Sequence, residues 1–248
     1  MTTSQKPKNE IVIVEVCATS LQSILNAQQA GADRIELCAE LSLGGITPSY
    51  GFIKEAVRLS ELPIHLLIRP RSGNFCYSEV EFQTLLEDIR MAKQLGVAGV
   101  VVGFLHSNNQ IHWEQLQQAM AFAKPLAITF HRAFDLIPDP ETALKRFIEL
   151  GVHRILCSGK ALQATEGIAT LERWKTLAGK SLEIQPGGGI DAENCQMFYD
   201  HGFESLHLSA QRKNLNHSNA ESVSDFWEQQ AEVADLKMLQ EVVSICKP

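Results

Sequence analysis

The sequence has no excess of basic residues, no long apolar run and no closely paired cysteines, and each absence removes a class of function. Its 22 Lys and Arg residues are outnumbered by 29 Asp and Glu residues, which gives a formal net charge of −7. A protein that binds the phosphate backbone of nucleic acid needs a clustered basic surface. We therefore expect no nucleic-acid partner.

The apolar runs are too short for a membrane protein, since none approaches the roughly 18 residues that a transmembrane helix requires. The first ten residues, MTTSQKPKNE, lack the apolar core of a signal peptide. These features predict a cytoplasmic protein with no membrane partner. The six cysteines are scattered over the chain, so free thiols are expected in that reducing compartment rather than disulfides.

Short apolar runs alternate with amphipathic stretches along the chain. Eight runs are typical of strands, at 11–16, 34–37, 64–68, 99–103, 126–130, 154–157, 182–185 and 205–208. Helical patterns lie between them, for example at 20–32, 79–96, 139–151 and 191–202, and several begin at Asp or Ser and end at Gly. This alternation predicts an α/β protein with a (β/α)8 TIM-type barrel rather than a doubly wound sheet.

The domain organisation follows from the same pattern, because no linker interrupts it. Residues 1–10 are expected to form a flexible tail and residues 11–248 a single domain. Residues 209–222 have the composition of a loop. Apolar residues near helical spacing between 223 and 245 predict a helix that closes the barrel.

Side chains alternate across a strand, so their parity predicts which of them point into the barrel. In the first strand Glu15 and Cys17 fall on the inner face, and in the second strand Glu36 and Cys38 do so. The inner sets at the ends of the other strands include Arg69, Arg71, Thr129, His131, Ser158, Gln185, Gly187, His207 and Ser209.

These inner positions are unusually polar for a barrel. A barrel that serves only as a scaffold fills them with Val, Ile and Leu, because a buried polar group costs free energy unless it is paired. The pattern therefore predicts a functional site, in which Glu15, Glu36 and His131 are acid–base candidates. The alternative is that the carboxylates pair with the arginines and only hold neighbouring strands together.

Several segments have the composition of an anion-binding site. The segment IRPRSG (68–73) places Arg69 and Arg71 on either side of a proline, and guanidinium groups suit a carboxylate or a phosphate. A glycine run follows the seventh strand, where barrels often bind phosphate through backbone amides, although it could equally form a tight turn. The other candidates for this site are Gly187, Gly188 and Gly189 of that run, and Arg132, Asp135, Ser158, His207 and Ser209.

Cys17 and Cys38 end neighbouring strands and share the inner face. Neighbouring strands lie about 4.8 Å apart, so the two sulfur atoms could bind one soft metal ion, for which Cu(I) is the natural choice. Cys76, after the third strand, could supply a third thiolate. Zinc sites usually have closer cysteine pairs, which are absent here. The alternative is that these thiols only pack in the core.

Seven segments together resemble the CutC copper homeostasis family: VEVCA, GADRIELC, GGITPS, IRPRSGNFCYS, LAITFHRAFD, SGKALQATEG and PGGGI. The resemblance covers most of residues 11–210. It implies a TIM-type barrel, a cytoplasmic homodimer or larger homo-oligomer, a role in copper handling, and copper binding at Cys17 and Cys38, with Cys76 at a further family position. An enzyme acting on a small anionic or phosphorylated substrate remains the second hypothesis, because the polar residues around the cysteines exceed what a metal carrier needs.

Overall fold

Eight parallel strands surround the interior of the protein. The computed structural model describes residues 11–211 and 233–247. The strands are β1 (Ile13–Ala18), β2 (Arg34–Leu37), β3 (Ile64–Leu67), β4 (Gly99–Val102), β5 (Ala127–Phe130), β6 (Arg154–Cys157), β7 (Glu183–Pro186) and β8 (Ser205–Leu208). They form one sheet in the order β7-β6-β5-β4-β3-β2-β1-β8.

The sheet curves until its two outer strands meet. A parallel bridge joins Gly187, directly after β7, to His207 in β8. This bridge makes a nearly closed barrel, and it confirms the predicted single-domain (β/α)8 TIM-type fold. The register pairs Glu15 with His207 and Cys17 with Glu36. Four of the candidate residues are thereby brought together at neighbouring positions of three strands.

Helices alternate with the strands and pack outside the barrel. Those in the described residues are α1 (Leu21–Ala30), α2 (Tyr50–Leu59), α3 (Glu79–Leu95), α4 (Trp113–Ala123), α5 (Pro140–Leu150), α6 (Ile168–Ala178), α7 (Cys195–Asp200) and α8 (Leu236–Cys246). Short 3-10 helices occur at Leu41–Leu43 and Arg132–Leu136. Among these described helices, none combines the length and the apolar character needed to cross a bilayer.

Capping residues explain where the helices begin and end. Ser78 and Glu81 form a reciprocal capping box at the start of α3, in which each side chain accepts the other residue's backbone N–H. Gly96 ends α3 in the left-handed conformation that glycine adopts without steric cost. The helix expected at 191–202 is shorter, because the side chain of Asp191 accepts the amides of Glu193 and Asn194 and holds this segment in a turn.

The buried apolar residues of the strands fall into two separate clusters. Val12, Val14 and Val16 are fully buried in the cluster between the sheet and the helices. Cys17 and Cys38 instead pack with Leu67 and Val101 in a second cluster inside the barrel. Full burial of one aliphatic side chain contributes about 1.5–3 kcal/mol to folding, so the outer cluster supplies most of the apolar stabilisation.

Parts of the expected organisation lie outside the described residues: the tail at 1–10, most of the loop at 209–222 and the beginning of the helix at 223–245. The described part of the closing helix is α8. It packs on α1 and α7 and buries Leu239, Val242 and Cys246. The closing helix therefore covers the barrel next to the junction of β1 and β8.

Candidate functional site

A cavity of about 1050 Å³ is formed where the strands end. Its lining comes from the ends of the strands and the segments that follow them, which is where enzymes of this fold build their sites. The candidate residues that line it are Cys17, Glu36, Cys38, Arg69, His131, Arg132, Gly188, Gly189, His207 and Ser209. Residues proposed separately as metal ligands, as acid–base groups and as anion-binding groups thus face one space.

Two thiols contact each other in this cavity. The Sγ atoms of Cys17 and Cys38 lie 3.4 Å apart, and both side chains are almost completely buried. The amide of Cys38 donates to the carbonyl of Ala18, which holds the ends of β1 and β2 together. The hydrogen bond with Cys38, together with burial, raises the pKa of Cys17 well above its ordinary value. Cys17 is therefore a protonated thiol in the free protein at neutral pH.

The imidazole of His207 lies between two carboxylates. Its Nδ1 atom is 2.8 Å from Oε1 of Glu15, and its Nε2 atom is 3.4 Å from Oε2 of Glu36. Burial disfavours the charged imidazole, but the two carboxylates outweigh it and raise the pKa of His207. Burial also raises the pKa of Glu36, although the charge of His207 opposes this. His207 and Glu36 are therefore two buried titratable groups that interact directly in the cavity, as acid–base groups of an active site often do.

Donor atoms of Cys17, Glu36 and His207 all lie within 4.8 Å of one another. Cys17 consequently belongs to two sets of possible ligands, one with the second thiol and one with an imidazole and a carboxylate. Thiolates suit a soft ion, whereas nitrogen and oxygen donors suit harder ions. The residues present are thus chemically compatible with copper.

Glu15 lies below the cavity and is 1% exposed. It forms an ion pair with Arg34, and behind it Glu183 pairs with Arg154 at 2.8 Å. Burial opposes ionisation of Glu15, but the charge of Arg34 and the hydrogen bond from His207 hold its pKa well below the ordinary range. Glu15 is therefore a fixed negative charge that orients His207, and it does not reach the cavity surface.

His131 is buried beside the aromatic ring of Phe75, with 4.6 Å between the ring centroids. Burial, together with the charge of Arg69, lowers the pKa of His131 to about 3. Its Nδ1 atom accepts the amide of Ala133 at 3.1 Å, so the neutral ring carries its proton on Nε2. Among the described residues Nε2 has no hydrogen-bond partner. The geometry suits His131 to donating a hydrogen bond to a ligand.

Arg69 is 4% exposed and is held by main-chain oxygens. Its guanidinium group donates to the carbonyls of Leu43 at 2.9 Å, Gly45 at 2.6 Å and Gly73 at 2.7 Å. The charge is therefore not neutralised by a carboxylate in these contacts. Arg69 ties together the segments that follow β2 and β3, and it presents a positive charge to the cavity.

Arg71 and Cys76 lie outside the cavity lining, and the expected inner position of Arg71 is corrected. Arg71 pairs with Glu81 of α3 and donates to the carbonyl of Cys76 at 2.9 Å. Because β3 ends at Leu67, the alternation of the strand does not extend to residue 71. Cys76 is partly exposed, and the described donor groups join Cys17 with Glu36 and His207 rather than with Cys76.

Asp135 and Ser158 support the cavity from behind. The carboxylate of Asp135 accepts the amides of Ser158 and Lys160, each at 3.0 Å. Arg132 is 3.2 Å from Asp135 and donates to the hydroxyl of Ser158 at 2.7 Å. These bonds fix the direction of Arg132, which is the member of this group that lines the cavity.

The glycine run follows β7, and its three members have different roles. Gly188 has φ +114° and Gly189 has φ +74°, which other residues rarely adopt. A Cβ atom at Gly188 would lie 3.0 Å from the guanidinium group of Arg132, so the backbone passes directly beside that charge. Gly187 lies at the bridge that closes the barrel, and a Cβ atom there would lie 2.5 Å from the side chain of Leu156 and 3.2 Å from that of His207.

Several lining residues have no counterpart in the sequence-based prediction: Gly44, Gly45, Phe75, Asp191, Gln211 and Met238. The segment GGITPS (44–49) carried part of the family resemblance, and that signal could have identified the first two. Met238 belongs to α8, far along the chain from the other lining residues. No local pattern brings such a residue to the cavity.

Comparisons with known proteins agree with this structure. The CutC family model matches residues 12–212. The chain is 43% identical over 205 residues to family protein CutC of Glaesserella parasuis, a match that covers 82% of this chain and 84% of that protein. It is 44% identical over 215 residues to family protein CutC of Bacteroides thetaiotaomicron, covering 85% and 86% of the two chains.

Solved structures show the same relationship. A Streptococcus agalactiae structure, described as a candidate copper homeostasis protein CutC, is 35% identical with a TM-score of 0.76, and the match covers 80% of this chain and 99% of that one. A thiamine phosphate pyrophosphorylase from Pyrococcus furiosus has a TM-score of 0.60 at 13% identity, with 96% of each chain covered, and shares the fold alone. Sequence and structure together show that the chain belongs to the CutC family.

Proposed function

We propose that this chain takes part in copper homeostasis by binding Cu(I) through Cys17 and Cys38. The observation that carries the proposal is the 3.4 Å contact between the two thiols at the ends of adjacent strands in the cavity. Cu(I) is a soft ion that prefers thiolate ligands. The description of the Streptococcus agalactiae structure as a candidate copper homeostasis protein supports the same role.

Binding must displace thiol protons, because the thiolate is the form that binds a metal. The raised pKa of Cys17 makes this displacement costly in the free protein. Glu36 lies beside Cys17, and its carboxylate can accept the proton that leaves, with His207 held 3.4 Å from it. The proposal therefore assigns these two residues a role in loading the ion, and it predicts that Cu(I) affinity increases with pH.

The setting of this function is also part of the proposal. We expect the protein to act in the cytoplasm, where thiols stay reduced, and to assemble into a homodimer or larger homo-oligomer. The location is expected from the sequence and from the family resemblance, and the assembly from the resemblance alone. Sedimentation of the purified chain with and without Cu(I) measures the second of them.

The test is a titration of the reduced protein with Cu(I) in competition with a chromophoric chelator. The double variant carries Cys17→Ser and Cys38→Ser. Removing a group that only orients a metal ligand lowers affinity about 10–100-fold, and we expect the double variant to lose more Cu(I) affinity than that. Cys157→Ser is the matched control, since Cys157 is fully buried but lies outside the cavity lining. Equal Cu(I) affinity of the double variant and the unmodified chain would disprove the proposal.

A second candidate function is an enzyme that acts on a small anionic or phosphorylated substrate. The observation that favours it is the pairing of His207 and Glu36 in a cavity that also holds Arg69 and Arg132. A site of two thiolates does not need the two guanidinium groups. The anion would lie between Arg132 and the backbone amides at Gly188, with proton transfer by the histidine and carboxylate.

Inorganic phosphate is the simplest probe of this second function. We expect phosphate to raise the unfolding temperature of the unmodified chain, and Arg132→Ala to abolish that increase. Arg71→Ala is the matched control, because Arg71 lies outside the cavity lining and pairs with Glu81. If phosphate leaves the unfolding temperature of the unmodified chain unchanged, the anion site is disproved.

A further inference from the structure

A second group of metal donors lies on the surface, between β4 and α4. Leu105 and Ile111 form an antiparallel bridge, and the amide of His106 donates to the carbonyl of Gln110 at 2.7 Å, which closes a turn. His112 follows the bridge and caps α4. The two histidines therefore stand side by side at the base of one turn.

The side chains at this turn are close enough to share one ion. The rings of His106 and His112 stack, with 4.2 Å between their centroids and 21° between their planes. The Nδ1 atom of His112 is 3.3 Å from Oε2 of Glu114. One donor atom from each of the three residues lies within 4.8 Å of the others. His106 and Glu114 are exposed and His112 is partly exposed, so an ion can reach them from solvent.

The capping bond of His112 does not block the site. Its Nδ1 atom accepts the amide of Gln115 at 3.4 Å, which is long for a hydrogen bond and therefore weak. The same Nδ1 atom lies 3.3 Å from Oε2 of Glu114, so the two donor atoms are close enough to bind one cation.

We propose that His106, His112 and Glu114 form a surface site for a divalent transition-metal ion. Two imidazoles and one carboxylate suit Zn2+, Ni2+ or Cu2+, and they do not suit Cu(I), which prefers thiolates, or Ca2+, which takes oxygen ligands alone. Cu2+ should bind most tightly of the divalent ions. The site is chemically distinct from the thiols in the cavity and does not depend on the function proposed for them.

Two neighbouring positive charges oppose the ion and limit its affinity. The N-terminus of α4 carries the positive end of the helix dipole. The guanidinium group of Arg146 stacks on Trp113, 4.2 Å from the ring centroid, beside the same turn. Glu114 offsets both through its negative charge, so we expect the carboxylate to contribute as much to binding as either imidazole.

The test is calorimetric titration with Zn2+ of the full chain carrying Cys17→Ser and Cys38→Ser, so that the cavity thiols cannot bind the ion. In that background His106→Ala, His112→Asn and Glu114→Gln should each weaken Zn2+ binding about tenfold or more. Asparagine is one of the preferred N-cap residues, so His112→Asn removes the metal ligand and keeps the helix cap. His201→Ala is the control, because His201 lies 2.6 Å from Glu172 without a third donor in the described groups.

Unchanged Zn2+ affinity in His106→Ala and His112→Asn would overturn the proposal, as would an equal loss in His201→Ala. Co2+ bound to the unmodified chain provides a second measurement that does not require the serine substitutions. We expect visible absorption bands of the bound Co2+ ion without a thiolate charge-transfer band. We expect these Co2+ bands to disappear in His106→Ala. Visible absorption bands of Co2+ that are unchanged in His106→Ala would also overturn the proposal. Neither result depends on whether the thiols bind Cu(I).

Discussion

The Nδ1 atom of His207 lies 2.8 Å from the carboxylate of Glu15. This hydrogen bond joins the cavity to the buried ion pairs below it, which are Glu15 with Arg34 and Glu183 with Arg154. The strand register places the two residues directly opposite each other in β8 and β1. Glu15 is also paired with Arg34, so it is held from two sides. Its role is consequently to position and charge His207, and the groups that face a ligand are His207 and Glu36.

Replacing Glu15 should destabilise the fold strongly. In Glu15→Gln the guanidinium group of Arg34, which is 7% exposed, loses its paired carboxylate inside the barrel. Breaking a buried ion pair in this way costs about 3–5 kcal/mol. Guanidinium chloride denaturation measures the change in the free energy of unfolding. Glu87→Gln is the control, because its exposed ion pair with Arg90 contributes at most about 1 kcal/mol; equal losses in the two variants would contradict the assignment.

Acid should destabilise the protein through two buried histidines. Burial lowers the pKa of His65 from 6.5 to about 4, and burial with the charge of Arg69 lowers that of His131 from 6.5 to about 3. Below pH 6.5 the unfolded chain therefore binds protons that the folded chain does not. The stabilising contribution is complete above that pH and falls as the pH approaches the folded values, by up to about 1.4 kcal/mol per pH unit for each histidine.

Urea denaturation at several pH values within this window measures the effect. His131→Asn is the informative variant, since an asparagine side chain can still accept the amide of Ala133 but does not titrate. The free energy of unfolding of the variant should depend less steeply on pH than that of the unmodified chain. Identical slopes would show that His131 is not the group that titrates.

Gly103 should not tolerate a larger residue. A Cβ atom there would lie 2.2 Å from Cε1 of His131, so Gly103→Ala must displace the imidazole from its position beside Phe75. We expect a loss of about 1–3 kcal/mol, as for other overpacked sites. Gly51→Ala in α2 is the matched control, because the added Cβ meets no atom within 4 Å, and alanine stabilises a helix by up to about 1 kcal/mol. Calorimetric melting of both variants checks the opposite signs; a neutral Gly103→Ala would argue against the close packing of His131.

The thiols should react with an alkylating reagent in a defined order. Cys76 is partly exposed, whereas Cys17 and Cys38 are buried and the pKa of Cys17 is raised. The thiolate is the reactive form, so Cys76 should be alkylated first by iodoacetamide at neutral pH. Mass spectrometry of peptides after timed labelling reports the order, and denatured protein gives the unprotected rates. Alkylation of Cys17 as fast as that of Cys76 in the folded protein would contradict the described burial.

Sequence reasoning was reliable where side chains belong to strands. The two-residue alternation placed Cys17 and Cys38 inside the barrel, because the opposite face of each strand must contact helices. It was wrong for Arg71, which lies beyond the end of β3 and pairs with a residue of α3. It also attached no function to His106 and His112, since their proximity depends on the geometry of a turn. Residues in loops follow no regular alternation, so the direction of their side chains cannot be predicted from their spacing in the sequence.

The amino-acid sequence by itself determined the barrel and the set of polar residues inside it, because the spacing of apolar residues matches the period of a strand or a helix. Only the tertiary structure decided which of these residues pair. Arg34, and not Arg69 or Arg71, pairs with Glu15, while Arg69 is bound by main-chain oxygens. Such partners depend on how the strands are staggered when the barrel closes, and the stagger is set by contacts between segments that are distant in the chain.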